Sequence, residues 1–150
     1  MSLDALPDAT LTDMNGAPLR LRDLPLPLVV YFYPKDDTQG CTREAQDFSA
    51  LADDFAAAGV RVLGVSRDSV KRHANFSAKY DLAVPLASDL DGSVTEVFGL
   101  WVEKQLYGRR YMGIERASFL FGRDGTLARA WRRVKVAGHA AEVLSVARAL

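Results

Sequence analysis

The sequence predicts an α/β fold: a central mixed β-sheet flanked by helices, preceded by an N-terminal β-hairpin. Three observations carry this expectation. Leu28 to Tyr33 is an unbroken apolar run rich in Val and Tyr, the pattern of a strand buried on both faces of a sheet. From Cys41 onward, Ala45, Phe48, Leu51 and Phe55 recur at three- and four-residue spacing, as on a helix with one face against a core. Val60 to Val65 is a second apolar run of strand length, so strand, helix and strand succeed one another as in a right-handed parallel crossover.

The remaining elements follow in order. Thr10 to Leu21 alternates loosely around Asn15-Gly16, a dipeptide suited to the positive φ angles of a hairpin turn. Pro34 closes the first core strand, and Asp36, Asp37 and Thr38 each offer a cap for the helix that follows, which is expected to run to Gly59. Ser66 to Tyr80 reads as a loop and a helix, Leu82 to Ala87 as a short extended segment, and Ser88 to Gly99 as an Asp91-Gly92 turn leading into a brief helix. Trp101 to Tyr111 is polar, basic and weakly periodic, and is read as a surface loop. Ala117 to Phe121 and Leu127 to Val134 flank Arg123-Asp124-Gly125 and should pair as a hairpin. After Gly138, Val143, Leu144, Ala147 and Leu150 form one stripe of a last helix that can cover a sheet face. This is a thioredoxin-like order of elements. With no internal repeat, low-complexity tract or linker, residues 1–150 are expected to form one domain.

Composition narrows the function. Lys plus Arg and Asp plus Glu both number 19, so the formal net charge is zero and nothing favours a nucleic-acid or membrane-surface partner. No apolar run approaches the ~20 residues of a membrane span, and the N-terminus has no basic region before an apolar stretch; a cytoplasmic protein is expected. A single cysteine cannot close an internal disulfide, and two distant histidines do not form a metal-ligand cluster.

Cys41 is the residue to which chemistry points. It falls near a helix N-terminus, where unpaired N–H groups and the helix dipole favour negative charge, and the thiolate is the nucleophilic form of a side chain whose unperturbed pKa is about 8.5. The alternative is a buried structural cysteine, since free Cys is among the most buried residue types. Thr38, three residues earlier, is either a helix cap or a hydroxyl able to hydrogen-bond a substrate. Glu44, one turn on, either orients an Arg side chain or favours the helix N-terminus. His73 and His139 could serve a Cys–His hydrolase, or lie in the core or on the surface. Trp101, Tyr107 and Trp131 read as packing aromatics.

Pro34, Thr38 and Cys41 stand in the spacing P-x-x-x-T-x-x-C, and FYPKDDTQGCTREAQDF resembles the peroxiredoxins of the AhpC/TSA family, in the branch called PrxQ or bacterioferritin comigratory protein. The resemblance continues through Tyr107-Gly108, the stretch from Tyr111 to Arg116, Ser118-Phe119-Leu120 and the stretch from Trp131 to Ala140. It implies a thiol peroxidase that reduces hydrogen peroxide and organic hydroperoxides through a Cys41 sulfenic acid, with no metal or organic cofactor. It assigns Arg116 as the cation that favours the thiolate and holds the peroxide, makes Thr38 part of the site, and gives Pro34 the role of shaping and shielding the loop. An acidic residue at the place of Glu44 also belongs to the pattern.

The departure lies in the second thiol. Members of the branch carry a resolving cysteine five residues after the first or on the following helix, and here those places hold Gln46 and Ser77. Regeneration therefore falls to an external thiol, thioredoxin or glutathione with glutaredoxin. The resemblance fits a monomer or weak homodimer. Two further readings use the same fold: a peroxide-sensing regulatory protein that signals through Cys41, and a noncatalytic thioredoxin-like binding module.

Overall fold

The computed structural model describes residues 3–150. Nine strands and five α-helices alternate as β1 (Thr10–Asp13), β2 (Pro18–Arg20), β3 (Leu28–Phe32), α1 (Gln39–Ala50), α2 (Ala52–Ala57), β4 (Arg61–Ser66), α3 (Val70–Tyr80), β5 (Leu86–Ser88), α4 (Ser93–Val97), β6 (Trp101–Leu106), β7 (Arg109–Ile114), β8 (Ala117–Phe121), β9 (Leu127–Trp131) and α5 (His139–Arg148). Seven strands form one sheet in the order β2-β1-β5-β4-β3-β8-β9. β3, β4 and β5 are parallel neighbours, and the outer pairings are antiparallel, so the sheet is mixed as its sequence pattern requires.

Every residue of β3 is buried, because the strand is central and covered on both faces. Val29, Tyr31 and Tyr33 meet Ala45 and Phe48 of α1, Phe55 of α2, Phe76 of α3 and Val143 of α5. Leu28, Val30 and Phe32 face the other way, onto Leu21, Val94, Phe98 and Phe119. Four helices thus cover one face, while α4 and a single 3-10 turn at Leu21–Asp23 share the other with Leu6 of the N-terminal segment and with Trp101 and Ile114 at the base of the β6–β7 hairpin. Tyr31 stacks on Phe48 with ring centroids 4.5 Å apart and lies across Gly64 of the neighbouring strand.

Five expectations are corrected. The cysteine helix does not run unbroken to Gly59: Leu51, at φ −100° and ψ 7°, leaves the helical ladder and divides α1 from α2. In the first hairpin only Gly16 takes positive φ; the Asp13 carboxylate accepts from the N–H groups of Asn15 and Ala17 and supports a wider turn. Leu150 lies past the end of α5 and is 56% exposed, so it leaves the apolar stripe. The stretch Trp101 to Tyr111 is not a loop but most of a hairpin, β6–β7, in a two-stranded sheet of its own. Its turn is Tyr107-Gly108, both at positive φ, and Tyr107 is 96% exposed rather than a packing aromatic.

A Cβ at position 64 would stand 2.7 Å from the Tyr31 ring and hydroxyl and 2.9 Å from Leu86 Cδ2. Gly64→Ala should therefore cost about 2 kcal/mol through overpacking of the central strands, read as a lower urea midpoint with an unchanged slope.

Candidate active site

The loop from Tyr33 to Thr38 links the C-terminal end of β3 to α1 and sets Cys41 as the third residue of that helix. Thr38 occupies the N-cap position with extended backbone, φ −97° and ψ 157°, and its carbonyl accepts from Thr42 N–H at 2.8 Å. Its hydroxyl does not cap the helix; it donates to the Lys35 carbonyl at 2.9 Å, which ties the loop to itself. Cys41 is a free thiol only 2% exposed.

Arg116 arrives from the short connection between β7 and β8. Its Nη2 lies 3.2 Å from Cys41 Sγ, and its Nη1 donates to Glu44 Oε1 at 2.7 Å. One planar guanidinium thus joins the thiol to a carboxylate one helical turn away. The guanidinium lies over the first turn of α1, where a Cβ at Gly40 would stand in ordinary contact with Arg116 Nη2 at 3.4 Å. Glu44 is 1% exposed, and its second oxygen, Oε2, has no hydrogen-bond partner among the described residues. Burial raises the Glu44 carboxyl to about 7, although Arg116 pulls the other way. Arg116 loses some of its preference for charge to burial, but Glu44 and Cys41 more than offset this and its pKa is raised.

Against the loop before α1 lies a groove of about 510 Å³, walled by Pro34, Lys35 and Thr38 of the loop, by Arg67, and by Trp101, Lys104, Tyr111, Met112, Gly113 and Ile114 of the β6–β7 hairpin; Cys41, three residues past Thr38, is not itself part of the lining. Its lining is mainly apolar, with three cations. Arg67 stacks over Trp101 at 4.2 Å from the ring centroid. Lys104 runs across Gly113; burial and the nearby Arg116 lower its pKa, while Cys41 and Glu115 oppose them. A second concavity, about 540 Å³, lies at the opposite end of the sheet around Leu24, Phe55 and Pro85, and its lining holds no nucleophile.

The structure brings Cys41, Glu44 and Arg116 into direct contact and sets Pro34 and Thr38 at the mouth of the groove beside them. Gln46 is exposed on α1 and Ser77 half-buried on α3. The histidines are engaged elsewhere. His139 accepts from or donates to Ser118 Oγ at 2.7 Å, and burial lowers its pKa to about 4; His73 sits between Asp36 and the Ala87 carbonyl. Neither pairs with Cys41, so the Cys–His hydrolase arrangement does not form. Asp36, Asp68 and His73 are the one cluster among the described residues with three metal-ligating atoms within 4.8 Å of one another, and those atoms already satisfy one another and nearby donors. Sequence reasoning missed this cluster, having read Asp36 only as a cap, and it missed the hairpin wall of the groove.

Comparison with known proteins places this geometry in a family. The AhpC/TSA family model matches residues 3–130. Peroxiredoxin Bcp of Xanthomonas campestris pv. campestris is 53% identical over 122 residues, covering 81% of this chain and 76% of that protein. The putative peroxiredoxin bcp of Coxiella burnetii is 47% identical over 92% of both. Among solved structures, the Xanthomonas campestris bacterioferritin comigratory protein, studied for alkyl peroxide reduction, superposes with a TM-score of 0.90 at 47% identity, covering 98% of this chain and 96% of that one. Peroxiredoxin 6 of Arenicola marina, at 21% identity and a TM-score of 0.84, shares the fold, covering 98% of this chain and 72% of its own. The chain therefore belongs to the AhpC/TSA family, among the peroxiredoxins of the Bcp or PrxQ branch, and its fold is thioredoxin-like.

Proposed function

We propose that the protein is a thiol peroxidase that reduces hydrogen peroxide and organic hydroperoxides with Cys41 as the nucleophile. The contact that carries this reading is Arg116 Nη2 on Cys41 Sγ at 3.2 Å, at the start of α1. A cation and the helix N-terminus both favour the thiolate, and the other guanidinium donors and the first-turn N–H groups favour charge on a departing oxygen.

The thiolate sulfur attacks one peroxide oxygen. The S–O bond forms as the O–O bond breaks, sulfur loses two electrons, and the departing oxygen takes a proton to leave as water or an alcohol. Arg116 offers donors to the oxygens as charge moves from sulfur to the leaving group; Glu44 orients Arg116 through the opposite edge of its fork. Pro34 and Thr38 shape the entrance. The apolar lining of the groove suits organic hydroperoxides as well as hydrogen peroxide. With Gln46 and Ser77 at the places of a resolving thiol, an external thiol returns the sulfenic acid to the thiol, with thioredoxin or the glutathione and glutaredoxin couple as donor. The enzyme acts as a monomer or weak homodimer in the cytoplasm. Among the described residues, no helix is long and apolar enough to cross a membrane.

Three outcomes are expected. Cys41→Ser should abolish peroxide consumption with thioredoxin, glutathione or dithiothreitol while leaving the circular dichroism unchanged, because a serine hydroxyl is scarcely ionised at neutral pH. Wild type should consume many equivalents of peroxide, where a sensor would consume one; turnover retained in the folded serine variant would end the proposal.

Arg116→Ala should slow sulfenic acid formation by roughly a hundredfold, the scale of losing a charge-stabilising donor, and Arg116→Lys should recover part of it. Stopped-flow measurement of the peroxide step checks this, and an unchanged rate in folded Arg116→Ala would remove Arg116 from the role given to it.

Glu44 makes a pH signature. Its carboxyl rises from 4.5 when unfolded to about 7 in the fold, so the folded state binds the proton more tightly. Its contribution to stability is complete below the unfolded value and is lost as pH rises through about 7, by an amount on the order of 3 kcal/mol. Glu44→Gln should flatten the loss of urea stability between about pH 5 and about pH 8, while keeping an acceptor for Arg116. Equal pH slopes in wild type and variant would show that Glu44 does not titrate there.

A further inference from the structure

The groove against the loop before α1 has apolar walls in Pro34, Trp101, Tyr111 and Met112, three cations, and no carboxylate in its lining. Two of the cations, Arg67 and Lys104, are half-buried, and among the described residues neither forms an ion pair. The neighbouring carboxylates are taken. Glu103 faces Arg110 at 3.9 Å, Glu115 accepts from Arg132 at 2.7 Å, and Asp91 accepts from the Ser93 N–H at 2.9 Å and hydroxyl at 2.7 Å. A half-buried cation gives up hydration, and without a counterion nothing offsets the loss. Both side chains are also held in place. The Arg67 guanidinium lies 4.2 Å from the Trp101 ring centroid and packs on Gly92, where a Cβ would stand 2.7 Å from its Cζ. That leaves the edges of the planar fork for an acceptor. Lys104 passes over Gly113, its Cδ and Cε 3.3 and 3.5 Å from where a Cβ would stand, and it is near enough to Cys41 and Arg116 for their charges to bear on it.

A hydroperoxide must turn its O–O bond toward a sulfur that is 2% exposed, so the rest of the molecule stays outside, against the groove. We propose that Arg67 and Lys104 form a carboxylate subsite, through which the groove selects organic hydroperoxides whose apolar body ends in a carboxylate. The proposal rests on the peroxidase reading of Cys41. The apolar body covers the aromatic wall while the carboxylate meets the two cations, an arrangement in which a few placed polar groups fix the pose of a mainly apolar ligand. In the reaction the terminal oxygen bonds to sulfur and the O–O bond breaks. The carbon-bearing oxygen takes a proton, and the product leaves as a hydroxy carboxylate. The reducing thiol suits this subsite less well. It attacks sulfur opposite the new S–O bond, and that bond points along the path by which the peroxide came. The formal net charge of the chain is zero, so no molecule-wide field draws anions in, and discrimination by charge has to come from local groups such as these. Arg67 and Lys104 are thus specificity-determining residues that meet the substrate away from its reacting atoms.

The probes are para-carboxycumene hydroperoxide and its neutral para-carboxamide, which differ in charge and scarcely in shape. Selectivity is kcat/KM for the acid divided by kcat/KM for the amide, with dithiothreitol as reductant; the ratio cancels any change in the reactivity of Cys41 itself. Wild type should favour the acid roughly tenfold, the scale of one hydrogen bond to a charged group, and added salt should shrink the preference. Lys104→Met should lower the ratio to about threefold, and Arg67→Met with Lys104→Met to about one. Lys104→Arg should keep the preference, and Lys104→Glu should reverse it. A wild-type ratio within about twofold of one would overturn the proposal, as would a folded double variant that keeps the wild-type preference. Should the double variant fail to fold, Lys104→Met and Lys104→Glu, on the separate hairpin, decide alone. Calorimetric titration with para-isopropylbenzoate and para-isopropylbenzamide, which carry no peroxide, reads the subsite without turnover. Wild type should bind the anion more tightly than the amide, and the double variant should not. If that preference is seen while no hydroperoxide is consumed, the subsite stands and the peroxidase reading falls. If hydrogen peroxide is consumed while neither the ratio nor the titration shows a preference, the subsite falls alone.

Discussion

A single guanidinium holds the site together. Arg116 is 17% exposed at its side chain, between a thiol 2% exposed and a carboxylate 1% exposed. A buried charge is tolerated only when its partners are close and well aligned, and the planar fork of Arg meets two partners along two edges at once. Remove it and Glu44 becomes an unpaired buried carboxyl while Cys41 keeps only the helix N-terminus. The rest of the active end is arranged around this bridge: β8 and its lead-in deliver Arg116, and α1 delivers both of its partners on one face. Glu44 leaves one oxygen unsatisfied, so the bridge is asymmetric and its negative end is the part most sensitive to protons.

The site sits where the topology converges. The parallel strand β3 ends beside the antiparallel start of β8, and both α1 and α5 begin at that end of the sheet. Helix N-termini, loops and the single thiol therefore share one rim, while the opposite rim, with the larger concavity, offers apolar surface and no reacting group.

Legibility in the sequence followed the range of the interactions. β3, α1, β4 and the β8–β9 hairpin were readable because apolar periodicity reports a residue's own exposure. Cys41 was readable by its place after Asp36, Asp37 and Thr38. Arg116 was not, since its partners lie 72 and 75 positions away and nothing in the spacing of charges reveals such contacts; only resemblance picked it out. The β6–β7 hairpin escaped because its strands are polar and largely exposed on both faces, so neither period shows, although Tyr107-Gly108 marks its turn. Asp36 looked like any cap. A buried Asp–His pair 37 residues apart leaves no local trace.

That hairpin has a wider meaning for how such a protein can change. It shares no ladder with the seven-stranded sheet, yet it supplies one whole wall of the groove against Pro34 and Thr38. Its tip is polar and exposed, but its base is tied to the site, since Ile114 is buried in the core with Phe32 and Ala117 and Arg116 follows it by two residues. The outer part of the wall can therefore vary on its own, whereas a change of volume at Ile114 would be felt at the guanidinium two positions on.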